Sequence, residues 1–312
     1  MSTSFRAVMS AHGLEPRDVV ADGRWYRCPT IDKPRKRNGC YVLWPCGTRG
    51  FFKNYALHDD WCEWRDEHAL IAPSLETQRR IRENREREQR RRIAAIHAAR
   101  VYWDGAKPAG LHPYIRRKGL SMLGMRGLRE RDGKLLVPMY QGRLLMSVQT
   151  IDADGEKRFW AGAPVKGMSF EIARERASIT CLCEGLATGL AIFQSVRQAR
   201  VIVAFDSGNL LPAVEHLQLR SAVVVCADND HGTLAVRGFN PGLVAAQKVV
   251  DAIGCGIAYP TDIEGTDWAD AFKEWGARAS SRIQREILDN VKLVRAKGMD
   301  PMASPAGCPK FR

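Results

Sequence analysis

Three acidic residues sit where apolar runs break. In CLCEGLATGLAIFQSV, residues 181–196, Glu184 ends a strand-like run and precedes a helix-like one. In AVVVCADNDHG, residues 222–232, Asp228 and Asp230 end another apolar run. The two aspartates are two apart in an extended segment, so their side chains leave on one face while Asn229 points away. With Glu184 they make a hard, oxygen-rich set suited to Mg2+ or Mn2+. Without a cation, crowded carboxylates repel and one takes up a proton. Gly185 and Gly232 let the backbone turn tightly and a phosphate approach. Asp206 and Asn209, in AFDSGNLLP at residues 204–212, close the run between them and could border the same crevice.

The elements that would position these acids follow from periodicity. After Ala177, short apolar runs alternate with amphipathic stretches: SITCLCEG, LATGLAIFQSV, RVIVAFDSG, LLPAVEHL, SAVVVCADND, PGLVAAQKVVDAIG, CGIAYP. That alternation predicts an α/β unit with a parallel sheet covered on both faces, and the crevice of such a sheet lies beyond the carboxyl ends of its strands. One helix is well punctuated, with Asn240 to cap it, Pro241 in its first turn and Gly254 at its end. Upstream, KLLVPMYQGRLLMSVQTIDADGEKRFWAG, residues 134–162, alternates apolar and polar positions around turns, the pattern of an antiparallel meander. Before it lies HPYIRRKGL, residues 112–120, with Arg116, Arg117 and Lys118 placed for template phosphates.

Residues 76–100 hold nine arginines, four glutamates and few apolar positions, a helix former polar all round that suits a linker. The first 70 residues are rich in aromatics and read as a small β-rich unit. Its hairpin tip DKPRKRNG carries Lys33, Arg35, Lys36 and Arg37, and charge beside flat rings suits single-stranded nucleic acid. Cys28, Cys40, Cys46 and Cys62 raise a zinc site, but no C-x2-C or C-x4-C knuckle occurs and the spacing argues against it. The boundaries expected are therefore 1–72, a small β-rich, zinc-ribbon-like nucleic-acid-binding domain; 73–104, a basic helical linker; 105–177, a basic segment and meander; 178–278, the catalytic domain; and 279–312, a C-terminal helix and tail.

A net charge of +13 over 312 residues suits a polyanionic partner. No run approaches a membrane span, the N-terminus lacks the apolar core of a signal peptide, and the expected location is the cytoplasm. No G-x-x-x-x-G-K-[ST] segment occurs, so any unwinding would come from a separate helicase.

The ordered acids resemble the TOPRIM fold family, shared by bacterial primases, topoisomerases and OLD-type nucleases. Glu184-Gly185 meets its Glu-Gly and Asp228-Asn229-Asp230 its D-x-D. EGLATG, ADNDH followed by NPGL, and HPYIRRKG are similar to the TraC-type primases of conjugative plasmids and related phage proteins. GTDWADAF, residues 265–272, resembles the family's D-x-N-D tail, with Asp267 and Asp270 retained and Ala269 replacing Asn. The resemblance implies a TOPRIM Rossmann-like sheet and a DNA primase that makes RNA primers from ribonucleoside triphosphates on a single-stranded DNA template. It implies Glu184 as the acid/base or metal-linked carboxylate, Asp228 and Asp230 as holders of divalent ions, and Arg158 and Lys166 beside the nucleotide. A metal-dependent nuclease, or a non-catalytic DNA-binding accessory of replication or recombination, would use the same scaffold.

Overall fold

The computed structural model describes residues 4–58, 60–66, 75–215, 217, 219 and 221–296. The expected boundary at 72/73 and the tail 299–312 lie outside the described residues. The chain divides into two compact units, Met1–Arg91 and Arg92–Arg312.

In the first unit a short helix α1 (Phe5–Ala11) precedes four antiparallel strands, β1 (Tyr26–Cys28), β2 (Gly39–Leu43), β3 (Arg49–Asn54) and β4 (Cys62–Arg65), paired in chain order. Phe5 and Met9 of α1 pack on Leu14, Cys28, Tyr41, Leu43 and Phe52. Cys28 and Cys40 are buried in the sheet as small hydrophobes. The four cysteines considered for zinc do not form one ligand group. Among the described residues, the group of three ligand atoms lying within 4.8 Å of one another is His12, His58 and Cys62. There His58 already accepts the Asn54 N–H at 3.2 Å, and its other ring nitrogen meets His12 Nδ1 at 3.0 Å.

Helix α2 (Leu75–Asp104) follows. The second unit then builds an antiparallel sheet from β5 (Lys107–Pro108), β6 (Arg129–Arg131), β7 (Lys134–Gln141), β8 (Leu144–Ile151) and β9 (Lys157–Phe159), with the short helix α3 (Pro113–Arg117) after β5. Alternation decides the two faces of this meander. Leu136 and Val148 pack under Ala99 and Trp103 of α2, while Leu135, Val137, Met139 and Ile151 join the main core.

The main sheet comprises β10 (Phe170–Ile172), β11 (Ile179–Cys183), β12 (Ala199–Val203), β13 (Ala222–Cys226) and β14 (Gly256–Ala258), in the order β10-β12-β11-β13-β14. Its last four strands are parallel, and β10 runs antiparallel along one edge. The sheet thus takes a strand from upstream of residue 178.

The helices are α4 (Leu186–Ser195), α5 (Leu210–Glu215), α6 (His231–Arg237), α7 (Pro241–Ile253), α8 (Trp268–Trp275) and α9 (Ala279–Ala296). Cys181, Cys183, Val201, Val203, Val224 and Cys226 face the core shared with α4, α8 and α9, whereas Leu182, Ile202, Val223 and Val225 face that of α5 and α7. Each fully buried Val or Leu contributes roughly 1.5–3 kcal/mol. Such a core can offset unpaired acids at its rim. Asn240 caps α7 through Leu243 N at 3.2 Å, and Gly254 closes it in the left-handed region. No helix among the described residues is long and apolar enough to cross a membrane.

Candidate active site

The carboxyl ends of the four parallel strands share one rim. Glu184 follows β11 directly, and Gly185 then begins α4 as its N-cap. Asp206 lies three residues beyond β12, after Phe205, whose φ of 76° is left-handed for a bulky residue. Phe205 N donates to Glu184 O at 2.7 Å, locking that turn to the end of β11. Asp228 and Asp230 leave β13, Asp230 forming the N-cap of α6. Asp267 caps α8 by accepting the Asp270 N–H at 2.8 Å.

The electrostatics of this rim are unusual. Burial first, then the charges of Asp230 and Asp206, push Glu184 up to about 7, with Lys157 opposing. Burial, then Glu184, Asp267 and Asp230, push Asp228 up to about 8. Glu184 Oε1 and Asp228 Oδ1 are buried without a hydrogen-bond partner. Orphaned carboxylate oxygens of this kind are costly unless a cation faces them. The donor set therefore fits a hard divalent ion. The side chains are spread more widely than the tight three-acid cluster expected from sequence, since they do not form a group with ligand atoms within 4.8 Å of one another. That spacing lowers their mutual repulsion.

Two lysines balance the rim. Lys157, the first residue of β9, lies near enough to Glu184 and Asp228 to lower both, and a Cβ on Gly185 would stand 3.5 Å from its ammonium. The family resemblance implies Arg158 and Lys166 as the basic residues beside the nucleotide. Strand alternation turns Arg158 away from Lys157, and Arg158 is exposed with its guanidinium on Glu156 at 2.9 Å. Lys166 is exposed in a turn. The second lysine is Lys118, whose Nζ meets Asp270 at 2.7 Å and Asp267 at 3.8 Å. Burial opposes its charge, but Asp267, Asp270 and Asp228 raise its pKa above the usual value. Its ammonium is thus committed to the acids, whereas Arg116 and Arg117 of α3 are exposed. Lys33, Arg35, Lys36 and Arg37 are exposed in the first unit.

Asn209 does not border the crevice. It is 2% exposed, its Oδ1 accepts Gly167 N at 2.6 Å, and its Nδ2 donates to Met168 O at 2.9 Å and Ala204 O at 2.6 Å. It ties the 165–169 loop to the end of β12. Asn209→Ala leaves three backbone groups unpaired and is expected to cost about 3 kcal/mol in a denaturant titration. Gly242 serves the aspartates more directly. Its N–H donates to Asp230 Oδ2 at 3.2 Å, and a Cβ there would overlap the Asp228 carbonyl oxygen. Gly242→Ala should destabilise the chain by about 1–3 kcal/mol and weaken divalent-ion binding measured by calorimetry.

Comparison with known proteins bears on this rim. Residues 179–278 match the Toprim domain family. This segment is similar to a Toprim domain. It contains Glu184, Asp228, Asp230, Asp267 and Asp270, but neither Lys118 nor Lys157. Over 205 residues, 58% of its length, the chain is 28% identical to the DNA primase TraC of Escherichia coli, and it spans 14% of that protein. Among solved structures it is similar to the primase fragment of the bacteriophage T7 primase-helicase, at TM-score 0.39 and 13% identity over 60% of this chain and 80% of that one. It is also similar to the RNA polymerase domain of Mycobacterium tuberculosis primase DnaG, at TM-score 0.34 and 14% identity over 69% and 80%.

Proposed function

We propose that this chain is a DNA primase, synthesising short RNA primers on single-stranded DNA by divalent-metal-dependent nucleotidyl transfer, in the replication or conjugation of a plasmid or phage. The carrying observation is the pair of buried, unpartnered carboxylate oxygens on Glu184 and Asp228 at the strand-end rim of a Toprim-like domain. The identity with TraC supports the choice of reaction over other Toprim chemistry.

Mg2+ or Mn2+, held by Glu184, Asp228 and Asp230, would lower the pKa of an attacking 3′-hydroxyl and neutralise the departing pyrophosphate. Glu184, directly after β11, would either accept the hydroxyl proton or act through the ion. Lys157 stands at the mouth of the rim, where an ammonium can orient a triphosphate. Lys118 holds Asp267 and Asp270 in place. Asp206 keeps negative charge near Glu184 and Gly185 leaves room for a phosphate. Arg116 and Arg117, with Lys33, Arg35, Lys36 and Arg37, are assigned to the template backbone. Unwinding is assigned to a separate helicase, and the setting to the cytoplasm.

Incorporation of labelled ribonucleotide on single-stranded DNA, with Mg2+ or Mn2+, tests the assignment. A short templated RNA from the parent and none from Glu184→Gln is the expected result. DNA cleavage without incorporation would make the chain a Toprim nuclease instead. Neither activity would leave a DNA-binding accessory.

A further inference from the structure

We propose that the outer face of the N-terminal sheet is a base-stacking site for single-stranded nucleic acid, built from Trp25, Tyr55 and Trp61 with Arg27 and Lys53 as phosphate contacts. Pairing places Arg27 opposite Cys40 and Cys40 opposite Lys53, while the neighbouring row, Tyr26, Tyr41 and Phe52, turns toward the core. Alternation then puts Trp25 on the side of Arg27, and Tyr55 on the side of Lys53. Three large aromatics thus share the face that the core does not use.

They remain in water. Trp25 is 55% exposed, Tyr55 48% and Trp61 45%. The Trp25 and Trp61 centroids are 4.6 Å apart, and those of Tyr55 and Trp61 are 6.4 Å apart. Arg27 lies 4.6 Å over the Tyr55 ring, and the Lys53 ammonium lies 5.6 Å from Tyr55 and 5.9 Å from Trp61. Cation–π contacts engage Tyr55 and Trp61, and about half of each of the three aromatics still faces solvent. A protein partner would favour an apolar patch with few charges at its centre. Cations interleaved with flat rings suit alternating phosphates and bases, and every base offers a π-face.

Arg27 links this platform to a second feature. It also lines a groove of about 640 Å³ with Arg17, Arg35, Lys36 and Arg37, where Asp18 is the acidic member. Tyr26, Cys28 and Tyr41 of the core-facing row line that groove as well and none of the three rings does, so the two features share Arg27 alone.

The site does not depend on the primase reading, and the test keeps the two apart. Binding of labelled oligo(dT) to the full chain is followed by fluorescence anisotropy in EDTA, which stops any metal-dependent chemistry. Trp25→Ala and Trp61→Ala are each expected to weaken binding about tenfold, with duplex of the same length unaffected. Arg27→Gln should lower the steepness of the salt dependence by about one unit. Photocrosslinking of a halogenated uracil oligonucleotide to the unaltered protein should map to Trp25, Tyr55 or Trp61. Crosslinks confined to other regions, or both tryptophan variants binding within about twofold of the parent, would overturn the proposal.

Discussion

Asp228→Asn is expected to cut templated ribonucleotide incorporation about 10^3-fold, the scale for a group acting directly at a reacting centre, while leaving the metal-free chain as stable as the parent or more so. The two halves of that result have one cause. Asp228 is held among Glu184, Asp267 and Asp230, with one oxygen buried and unpartnered. An amide of the same shape relieves the repulsion but cannot balance a divalent ion. Glu184→Gln should behave alike. Primer synthesis and thermal melting in EDTA, measured on the same preparations, check both halves. Full activity in either variant would remove the rim from the chemistry, and a large loss of metal-free stability would mean that the carboxylate is a structural support.

The second large effect is a metal-dependent pH profile of stability. Glu184 rises from 4.5 to about 7 on folding, and Asp228 from 3.8 to about 8. Between the unfolded and folded values the native chain binds more protons than the unfolded one. Stability contributed by these groups is therefore complete below about pH 4 and falls as pH climbs through 7 to 8. Repulsion by Glu184 is part of the Asp228 shift, so the two contributions do not simply add, and the pair together are expected to account for about 3 kcal/mol. A divalent ion held at this rim would bind the deprotonated acids, so Mg2+ should raise Tm far more at pH 8 than at pH 5. Melting curves in EDTA and in Mg2+ across that range check this. An equal Mg2+ shift at both pH values would show that the ion binds elsewhere, and Asp228→Asn should flatten the EDTA profile.

Much of the scaffold can be read from the chain because its signals are local. Runs such as ITCLC and AVVVC are apolar at every position, as a strand buried on both faces requires, and Asn240, Pro241 and Gly254 punctuate α7 within its own residues. The acids are legible for the same reason, Glu184 following β11 at once and Asp228 and Asp230 coming soon after β13. Non-local features are not. The antiparallel pairing of Phe170–Ile172 with β12 is set by packing across some thirty residues of intervening chain, and nothing in FEI announces it. The helix HGTLAVR carries too short a pattern to stand out. Lys157 and Arg158 are adjacent cations, and the register of β8 with β9 decides which one faces the side of Glu184. Asn209 has the composition of a site residue, yet three backbone partners from two segments make it a strut.

Lys118 and Asp270 are separated by 152 positions and joined at 2.7 Å. Lys157 also comes from outside residues 179–278, as do Met168 and Phe170 of the shared core. The smallest autonomous piece of this protein that keeps the acidic rim supported must consequently begin before α3. Trimmed to the borders of its recognised domain, the polypeptide would keep every acid and forfeit the counterions and edge strand that let those acids stand together.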